Sequence, residues 1–253
     1  GIEIDGNLCA KTIGNLNKVA SKYSISNVKW DIVNADAIDC KKFWYKMNFV
    51  IGNPPYCRIQ DVPEEQREKY KSFCYFKEED KKKQKGAFDS YMLFFNIGIR
   101  MLSKYDGKLC YITPSSWTTN LYGDNFREYL TDKKALEYII DMGHTKVFDN
   151  ATTFTMITGI GNFYGNETTP IFRYNEEMKT FDLINDTKLS DYLIDDKFYF
   201  KDNTTLNTLR LINNEDNITE KVFTVKNGFA TLKDKLFISD ISEMQGILGD
   251  ENM

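Results

Sequence analysis

The sequence feature that most constrains the fold is a regular alternation of short apolar segments with amphipathic helical segments in the first half of the chain. The pattern predicts strands at residues 1–5, 28–33, 49–52, 109–113 and 136–141, and helices at residues 7–23, 88–102 and 124–129. Strands that alternate with helices in this way form a mostly parallel sheet. Closely spaced strands at residues 154–163 and 170–174 should pair next to each other as an antiparallel edge. The sequence therefore predicts an α/β fold.

The chain changes character after Asp182, where Asn, Asp, Lys and Thr become frequent and the apolar periodicity weakens. We predict a helix at residues 204–212, followed by two strands joined by a turn within residues 222–238. We therefore expect one domain at residues 1–200 and the start of a second, incomplete domain at residues 201–253.

The composition argues against several kinds of site. The chain has a single histidine, His144, which argues against a mechanism built on histidine bases and against a histidine-rich metal site. The five cysteines are odd in number and no pair has C-x-x-C spacing, which predicts neither a disulfide framework nor a zinc site. Isolated thiols fit a reducing cytoplasm, and no apolar run is long enough to cross a bilayer. We expect a cytoplasmic protein with no metal site and no membrane partner.

Charge is unevenly distributed along the chain. The formal net charge of -4 argues against a surface that binds phosphates everywhere. Residues 66–86 nevertheless hold eight Lys and Arg against four Asp and Glu, including the lysine-rich run at residues 81–85. This segment is either a solvated helix or loop, or a flap that contacts phosphates. The composition leaves both interpretations open.

The strongest chemical signal is the tetrapeptide Asn53-Pro54-Pro55-Tyr56, which directly follows the predicted strand at residues 49–52. Ligands of open α/β sheets bind outside the carboxyl ends of the strands, where this tetrapeptide would lie. The two prolines restrict the backbone, so the amide and the neighbouring carbonyls point in fixed directions. A rigid turn after a strand could carry the same residues, because N-P is a common turn signal.

These four residues suit the methylation of adenine at N6. That amine is a poor nucleophile because its lone pair is delocalised into the ring, and two acceptors against its N–H groups favour a more tetrahedral nitrogen. The side-chain oxygen of Asn53 and the carbonyl of Pro54 supply two acceptors. An amide is no useful general base, so Asn53 would orient and stabilise the amine. The ring of Tyr56 can stack on a base extruded from a duplex.

Carboxylates end the two preceding strands. Glu3 lies near the carboxyl end of the first, where such groups commonly accept hydrogen bonds from the ribose of a nucleoside cofactor. Asp36 follows the second strand and could accept from an adenine amino group. Singly, these carboxylates are more often solvated strand-end residues. In this order, before N-P-P-Y, they favour a cofactor site.

The pattern resembles the N-P-P-Y adenine-N6 DNA methyltransferases of bacterial restriction–modification systems, and the resemblance covers most of the chain. It implies a Rossmann-like methyltransferase fold with S-adenosylmethionine as cofactor and double-stranded DNA as substrate, and a fused or associated restriction endonuclease as partner. The implied cofactor-binding residues are Glu3, Ile4, Asp36, Ala37 and Asn53. The implied catalytic residues are Asn53, Pro54, Pro55 and Tyr56.

Further stretches are similar to the same family. Residues 88–95 resemble the helix that lines the cofactor and target pockets, and residues 111–117 resemble the strand and turn that follow it. Phe148 matches an aromatic residue on the other face of the target base from Tyr56, although ordinary core packing would also explain it. Residues 227–238 resemble the start of a target-recognition domain.

The sequence also departs from the family. Relatives carry a strand and a glycine-rich loop before the segment that begins at Gly1, so we expect a truncated fragment in which both are missing. Gly159-Ile160-Gly161 is no substitute, because it lies inside a strand pattern and opens no helix. Residue 37 is alanine where many relatives have an aromatic residue beside the adenine ring.

Three alternatives remain open. N-P-P-Y also occurs in methyltransferases that act on RNA or on glutamine side chains of proteins, where the acceptor is likewise a planar, conjugated nitrogen. Cytosine-N4 is a further acceptor that the motif fits chemically. A non-catalytic DNA-specificity module could keep the fold as a scaffold, but it would have no need for Asn53 and both acids at the strand ends.

Overall fold

A six-stranded mixed sheet organises the part of the chain that the computed structural model describes, which is residues 1–73, 88–143, 145, 154–161 and 167–214. Its strands, in spatial order, are β3 (Phe49–Gly52), β4 (Lys108–Pro114), β6 (Thr155–Gly161), β5 (Leu136–Asp141), β7 (Thr169–Asn175) and β8 (Thr180–Thr187). Four of the six run in one direction, while β6 and β8 run in the other. The predicted α/β class with a mostly parallel sheet and an antiparallel edge is therefore confirmed.

Two short strands form a separate parallel pair that precedes this sheet in the chain. Ile2 of β1 (Ile2–Glu3) pairs with Val33 of β2 (Val33–Asn34). The Asn34 amide donates to the Glu3 and Ile4 carbonyls at 3.0 and 2.7 Å, which ties the carboxyl ends of the two strands together. A small antiparallel pair, β9 (Leu193–Ile194) and β10 (Lys197–Phe198), lies later in the chain.

The helices follow from apolar periodicity and local capping. They are α1 (Gly6–Lys22), α2 (Glu64–Phe73), α3 (Ser90–Met101), α4 (Asp124–Lys133) and α5 (Asn203–Asn214). The Asp5 carboxylate caps α1 by accepting from the Asn7 backbone N–H at 2.7 Å, which satisfies a donor that the helix leaves free. Helix α3 is apolar almost all round, and its Tyr91 and Phe95 are fully buried in the core.

Two sequence predictions were wrong. Residues 28–32 are not a strand, because β2 begins only at Val33 and pairs with the two residues of β1. The strand predicted at residues 170–174 does not pair with β6; it lies parallel to β5 and antiparallel to β8. Strand β8 was not predicted, and helix α2 was only one of the interpretations left open for residues 66–86. The strands predicted at residues 222–238 lie outside the described residues, as does the lysine-rich run.

In the part of the chain that the structure covers, no helix is both long and apolar enough to span a membrane.

Candidate active site

A cavity of about 810 Å³ opens at the carboxyl ends of β1, β2 and β3. This size is in the range of small-molecule and cofactor sites. The cavity is lined by all five predicted cofactor residues and by both prolines of the catalytic loop: Glu3, Ile4, Asp36, Ala37, Asn53, Pro54 and Pro55. Side chains that lie far apart in the sequence thus meet around one space, as the strand-end argument requires.

The two carboxylates of the cavity are held in different ways. One Glu3 oxygen accepts from the Asp5 backbone N–H at 3.0 Å. One Asp36 oxygen accepts from the Ile38 backbone N–H at 3.0 Å, and the other lies 3.2 Å from the Lys69 ammonium. Asp36 is therefore oriented by its own turn on one side and by helix α2 on the other.

The N-P-P-Y loop is clamped by the start of helix α3. The hydroxyl of Ser90, a side chain only 5% exposed, donates to the Pro55 carbonyl at 2.6 Å and accepts from the Cys57 backbone N–H at 3.0 Å. The Ser90 backbone N–H donates to the Cys57 carbonyl at 2.8 Å, and the Ile59 N–H donates to the Phe88 carbonyl at 3.0 Å. These bonds fix the position of a loop whose internal angles the prolines already restrict.

Tyr56 is half-buried and forms hydrogen bonds within the site. Its hydroxyl donates to the Asn53 side-chain oxygen at 2.5 Å and lies 3.0 Å from the Ile112 carbonyl. Burial raises the pKa of Tyr56 to about 12, so the hydroxyl keeps its proton at neutral pH. The Tyr56 ring meets the Tyr91 ring edge-on, with centroids 6.3 Å apart. An amine that approached the Asn53 oxygen would have to share or replace the tyrosine donor.

Behind this pair lies a network of hydroxyl groups. The Tyr91 hydroxyl is 3.0 Å from the Ser116 hydroxyl and 2.9 Å from the Tyr122 hydroxyl. The Tyr122 hydroxyl in turn donates to the Asp89 carboxylate at 3.2 Å. Burial raises the pKa of Asp89, and the hydrogen bond from Tyr122 offsets part of that shift. The network gives buried Tyr91, which supports Tyr56, fixed hydrogen-bonding partners.

A second cavity, of about 990 Å³, is lined by none of the predicted site residues that the structure describes. Its charged lining residues are Asp141, Arg173, Glu176, Glu177, Asp182 and Lys201. Two cations against four carboxylates disfavour a phosphate-binding site. The first cavity therefore carries the candidate chemistry.

Val62 and Tyr70 reach the first cavity from the segment after the N-P-P-Y loop, and sequence reasoning missed both of them. Ser90 and Phe94 reach it from α3, within the stretch at residues 88–95 that was predicted to line a pocket. A solvated helix was one interpretation of residues 66–86, but nothing in the sequence placed helix α2 at the cavity. Phe148, predicted to stack on the target base, lies outside the described residues.

Comparisons with known proteins show which family the chain matches. Residues 3–148 match the model of the family described as Eco57I restriction-modification methylase. The chain is 32% identical over 116 residues to the type II restriction enzyme and methyltransferase RM.Eco57I of Escherichia coli, covering 45% of this chain and 11% of that protein. It is 33% identical over 111 residues to the type II methyltransferase M.BstVI of Geobacillus stearothermophilus, covering 43% of this chain and 18% of that protein. The matched region thus spans only a small part of either relative.

One solved structure supports the fold. The type I restriction-modification methyltransferase subunit from Streptococcus thermophilus superposes with a TM-score of 0.50 at 12% identity. The superposition covers 89% of this chain and 42% of that one. At this identity the likeness concerns the fold alone, and it confirms the expected methyltransferase fold.

Proposed function

The chain belongs to the Eco57I restriction-modification methylase family, and from that membership we propose that it transfers a methyl group from S-adenosylmethionine to N6 of an adenine in DNA. The observation that carries the proposal is the single cavity in which Glu3, Asp36 and Asn53 meet. Three strand ends each contribute a polar side chain to this one space, which favours a shared ligand.

The residues of the cavity fit a nucleoside cofactor. Glu3 would bind the ribose hydroxyls with a carboxylate oxygen, and Asp36 would accept from the adenine amino group. Ile4, Ala37 and Pro54 supply apolar surface between these polar groups, as ligand sites usually do. When bound, S-adenosylmethionine supplies the methyl group on its positively charged sulfur.

The acceptor end of the site is the N-P-P-Y loop. The Asn53 side-chain oxygen and the Pro54 carbonyl would accept from the two N–H groups of the target amine, which concentrates its lone pair on nitrogen. For this, the Tyr56 hydroxyl has to give up or share the Asn53 oxygen, and the Ile112 carbonyl offers it a second acceptor at 3.0 Å. We propose that the rings of Tyr56 and Phe148 cover the two faces of the extruded base.

The remaining parts of the proposal concern the whole protein. Double-stranded DNA is the proposed substrate, and residues 201–253 are proposed to begin a target-recognition domain. One relative is named as both a restriction enzyme and a methyltransferase, which supports a fused or associated endonuclease in this system too. A cytoplasmic location follows from such a role.

The proposal can be tested in cells that lack DNA methylation of their own. The protein would be expressed from its complete gene, and the host DNA sequenced for modified bases. We expect N6-methyladenine at one recurring sequence, lost in Asn53→Ala and kept in the matched control Asn48→Ala. Asn48 is exposed and donates to Asp106 at 2.8 Å, outside the cavity. Purified Asn53→Ala should still bind DNA.

Other outcomes would contradict the proposal. A folded, cofactor-binding protein that leaves DNA unmodified would favour an RNA or protein acceptor. Methylation at cytosine would support a DNA methyltransferase and refute adenine as the target base. Equal loss of DNA binding and methylation in Asn53→Ala would refute the role given to that residue.

A further inference from the structure

The segment that follows the catalytic loop returns to the cofactor cavity. Residues 57–70, which we name the strap, run through a short 3-10 turn at Ile59–Asp61 into helix α2. Cys57 at its start and Val62 and Tyr70 further along all line the same cavity as Asp36. The strap therefore forms one wall of the space that the strand ends open.

The strap is attached at several points along its length. Ile59 is only 1% exposed, and its backbone N–H is bonded to Phe88. The Arg67 guanidinium donates to the Gln60 and Val62 carbonyls at 3.0 and 3.1 Å, which folds the turn against the helix. A wall attached in this way can hold a contacting side chain in one place.

The far end of the strap is attached to the predicted adenine-binding acid. The Lys69 ammonium lies 3.2 Å from the Asp36 carboxylate and 2.7 Å from the Asp39 carboxylate. These carboxylates, with Asp39 first, raise the pKa of Lys69, so the ammonium stays charged at neutral pH. Two ion pairs to one turn fix the orientation of α2 beside Asp36, even though exposed pairs contribute little stability.

Tyr70 is the residue that directly follows Lys69 in helix α2. It is half-buried, and like Ala37 it lines the cavity and packs against the core. Because the adjacent Lys69 is paired with Asp36 at 3.2 Å, Tyr70 lies in the same wall of the cavity as that carboxylate. Burial raises the pKa of Tyr70, and the negative charge of Asp36 acts in the same direction. Ala37 has only a methyl group and cannot cover a purine face. An aromatic ring next to Asp36 can, because every base has a face on which such a ring stacks.

We propose that Tyr70 is a cofactor-binding residue whose ring covers the adenine of bound S-adenosylmethionine, and that Lys69 holds it there through Asp36 and Asp39. The inference rests on the proposed function, since it assumes the nucleoside cofactor. It assigns a role to helix α2, which the residue pattern alone did not connect with a cofactor site. Tyr70 would touch the cofactor, whereas Lys69 acts through its partners as a positioning residue.

The test measures binding without catalysis. Protein from the complete gene is titrated calorimetrically with S-adenosylhomocysteine, and separately with adenosine, which keeps the adenine and lacks the amino-acid part. Tyr70→Leu retains apolar bulk but no aromatic face, and we expect about a tenfold weaker Kd for both compounds. Tyr70→Phe should bind within about twofold of the wild type, since the ring is kept. The matched control is Tyr105→Leu, at a tyrosine that is 80% exposed and outside the cavity.

Lys69 gives a second, independent readout. Lys69→Met should weaken adenosine binding several-fold. Lys69→Arg should bind adenosine as tightly as the wild type, because a guanidinium can pair with both carboxylates. Melting temperatures of all variants show whether the fold is intact.

The outcomes separate this inference from the proposed function. No binding of either compound by the wild type would refute the cofactor assignment itself. Binding by the wild type that is unchanged in Tyr70→Leu would refute the role of Tyr70 alone. A loss with S-adenosylhomocysteine but not with adenosine would also refute it, because the contact would then lie away from the adenine.

Discussion

Replacing Ser90 by alanine should separate catalytic geometry from stability. The Ser90 hydroxyl joins helix α3 to both sides of the catalytic loop, through the Pro55 carbonyl at 2.6 Å and the Cys57 N–H at 3.0 Å. Alanine removes both bonds and leaves the rest of the helix unchanged. Because Pro55 and Cys57 are themselves exposed, water can satisfy the released groups once the loop shifts slightly.

The magnitude follows from the two bonds. A neutral hydrogen bond contributes about 1 kcal/mol net, so the clamped position of the loop loses about 2 kcal/mol relative to shifted positions. At about 1.4 kcal/mol per factor of ten, the correctly placed population falls by up to about 30-fold. The loss should appear in kcat, since the proposed role of the loop is to orient the target amine, while the KM for DNA changes little. The melting temperature should fall only slightly, because the loop can relax without unfolding the core.

The assay is steady-state methylation of a DNA substrate with labelled S-adenosylmethionine, alongside thermal unfolding. Thr131→Ala is the matched control, because it removes one half-buried hydroxyl bond, to the Arg127 carbonyl at 2.9 Å, from helix α4 away from the site. The control should lose some stability and keep its kcat. A wild-type kcat in Ser90→Ala would refute the clamp, and so would a rate loss explained entirely by the fraction of protein unfolded.

Three further predictions concern stability. Tyr56→Phe should have a lower free energy of unfolding than the wild type at neutral pH, measured in urea. This difference should shrink as the pH rises from about 10 towards 12, because in that range only the unfolded wild type ionises at residue 56. A difference that stays constant with pH would contradict the raised pKa. Arg127 is 3% exposed, and its guanidinium donates to three backbone carbonyls. Losing these three hydrogen bonds in Arg127→Met costs about 3 kcal/mol, which should lower the melting temperature by about 6–12 °C. A shift below about 2 °C would show that the carbonyls find other donors. Gly98→Ala should destabilise by about 1–3 kcal/mol, because a Cβ there would lie 2.5 Å from the Leu109 side chain. The control Gly14→Ala, with no atom near its Cβ, should stabilise by about 0.5–1 kcal/mol; equal effects at the two glycines would refute the packing argument.

Strands with clear local boundaries were predictable from the sequence. Phe49–Gly52 and Leu136–Asp141 have the predicted bounds. The first is a short apolar run that stops before Asn-Pro, and the second is a mostly apolar run that ends at an aspartate. The prediction of a strand at residues 28–32 was wrong because a strand also needs a partner, and β1 offers only two residues. The predicted partner of β7 was wrong because adjacency in the sequence favours a hairpin, whereas β7 lies beside β5.

The candidate site likewise has residues that could be predicted from the sequence and residues that could not. The meeting of Glu3, Asp36 and Asn53 at one cavity could be predicted, because the carboxyl ends of parallel strands share one edge of a sheet. Lys69 and Tyr70 could not, because their place depends on how the chain returns after the catalytic loop. Nothing in the periodicity of residues 57–73 encodes that path, and an exposed, charge-rich helix has many places to dock.

The catalytic loop combines both kinds of constraint, and neither is sufficient alone. The prolines fix the direction of the Asn53 and Pro54 acceptors relative to each other, but a rigid turn can still rotate as a whole about the end of its strand. That rotation is restrained by contacts from elsewhere in the chain, which are the Ser90 hydroxyl and the Ile112 carbonyl beside Tyr56. N-P-P-Y therefore specifies the shape of the acceptor pair, while α3 and β4 specify its position. It follows that weakening the Ser90 clamp should impair methylation even with all four residues of the motif intact.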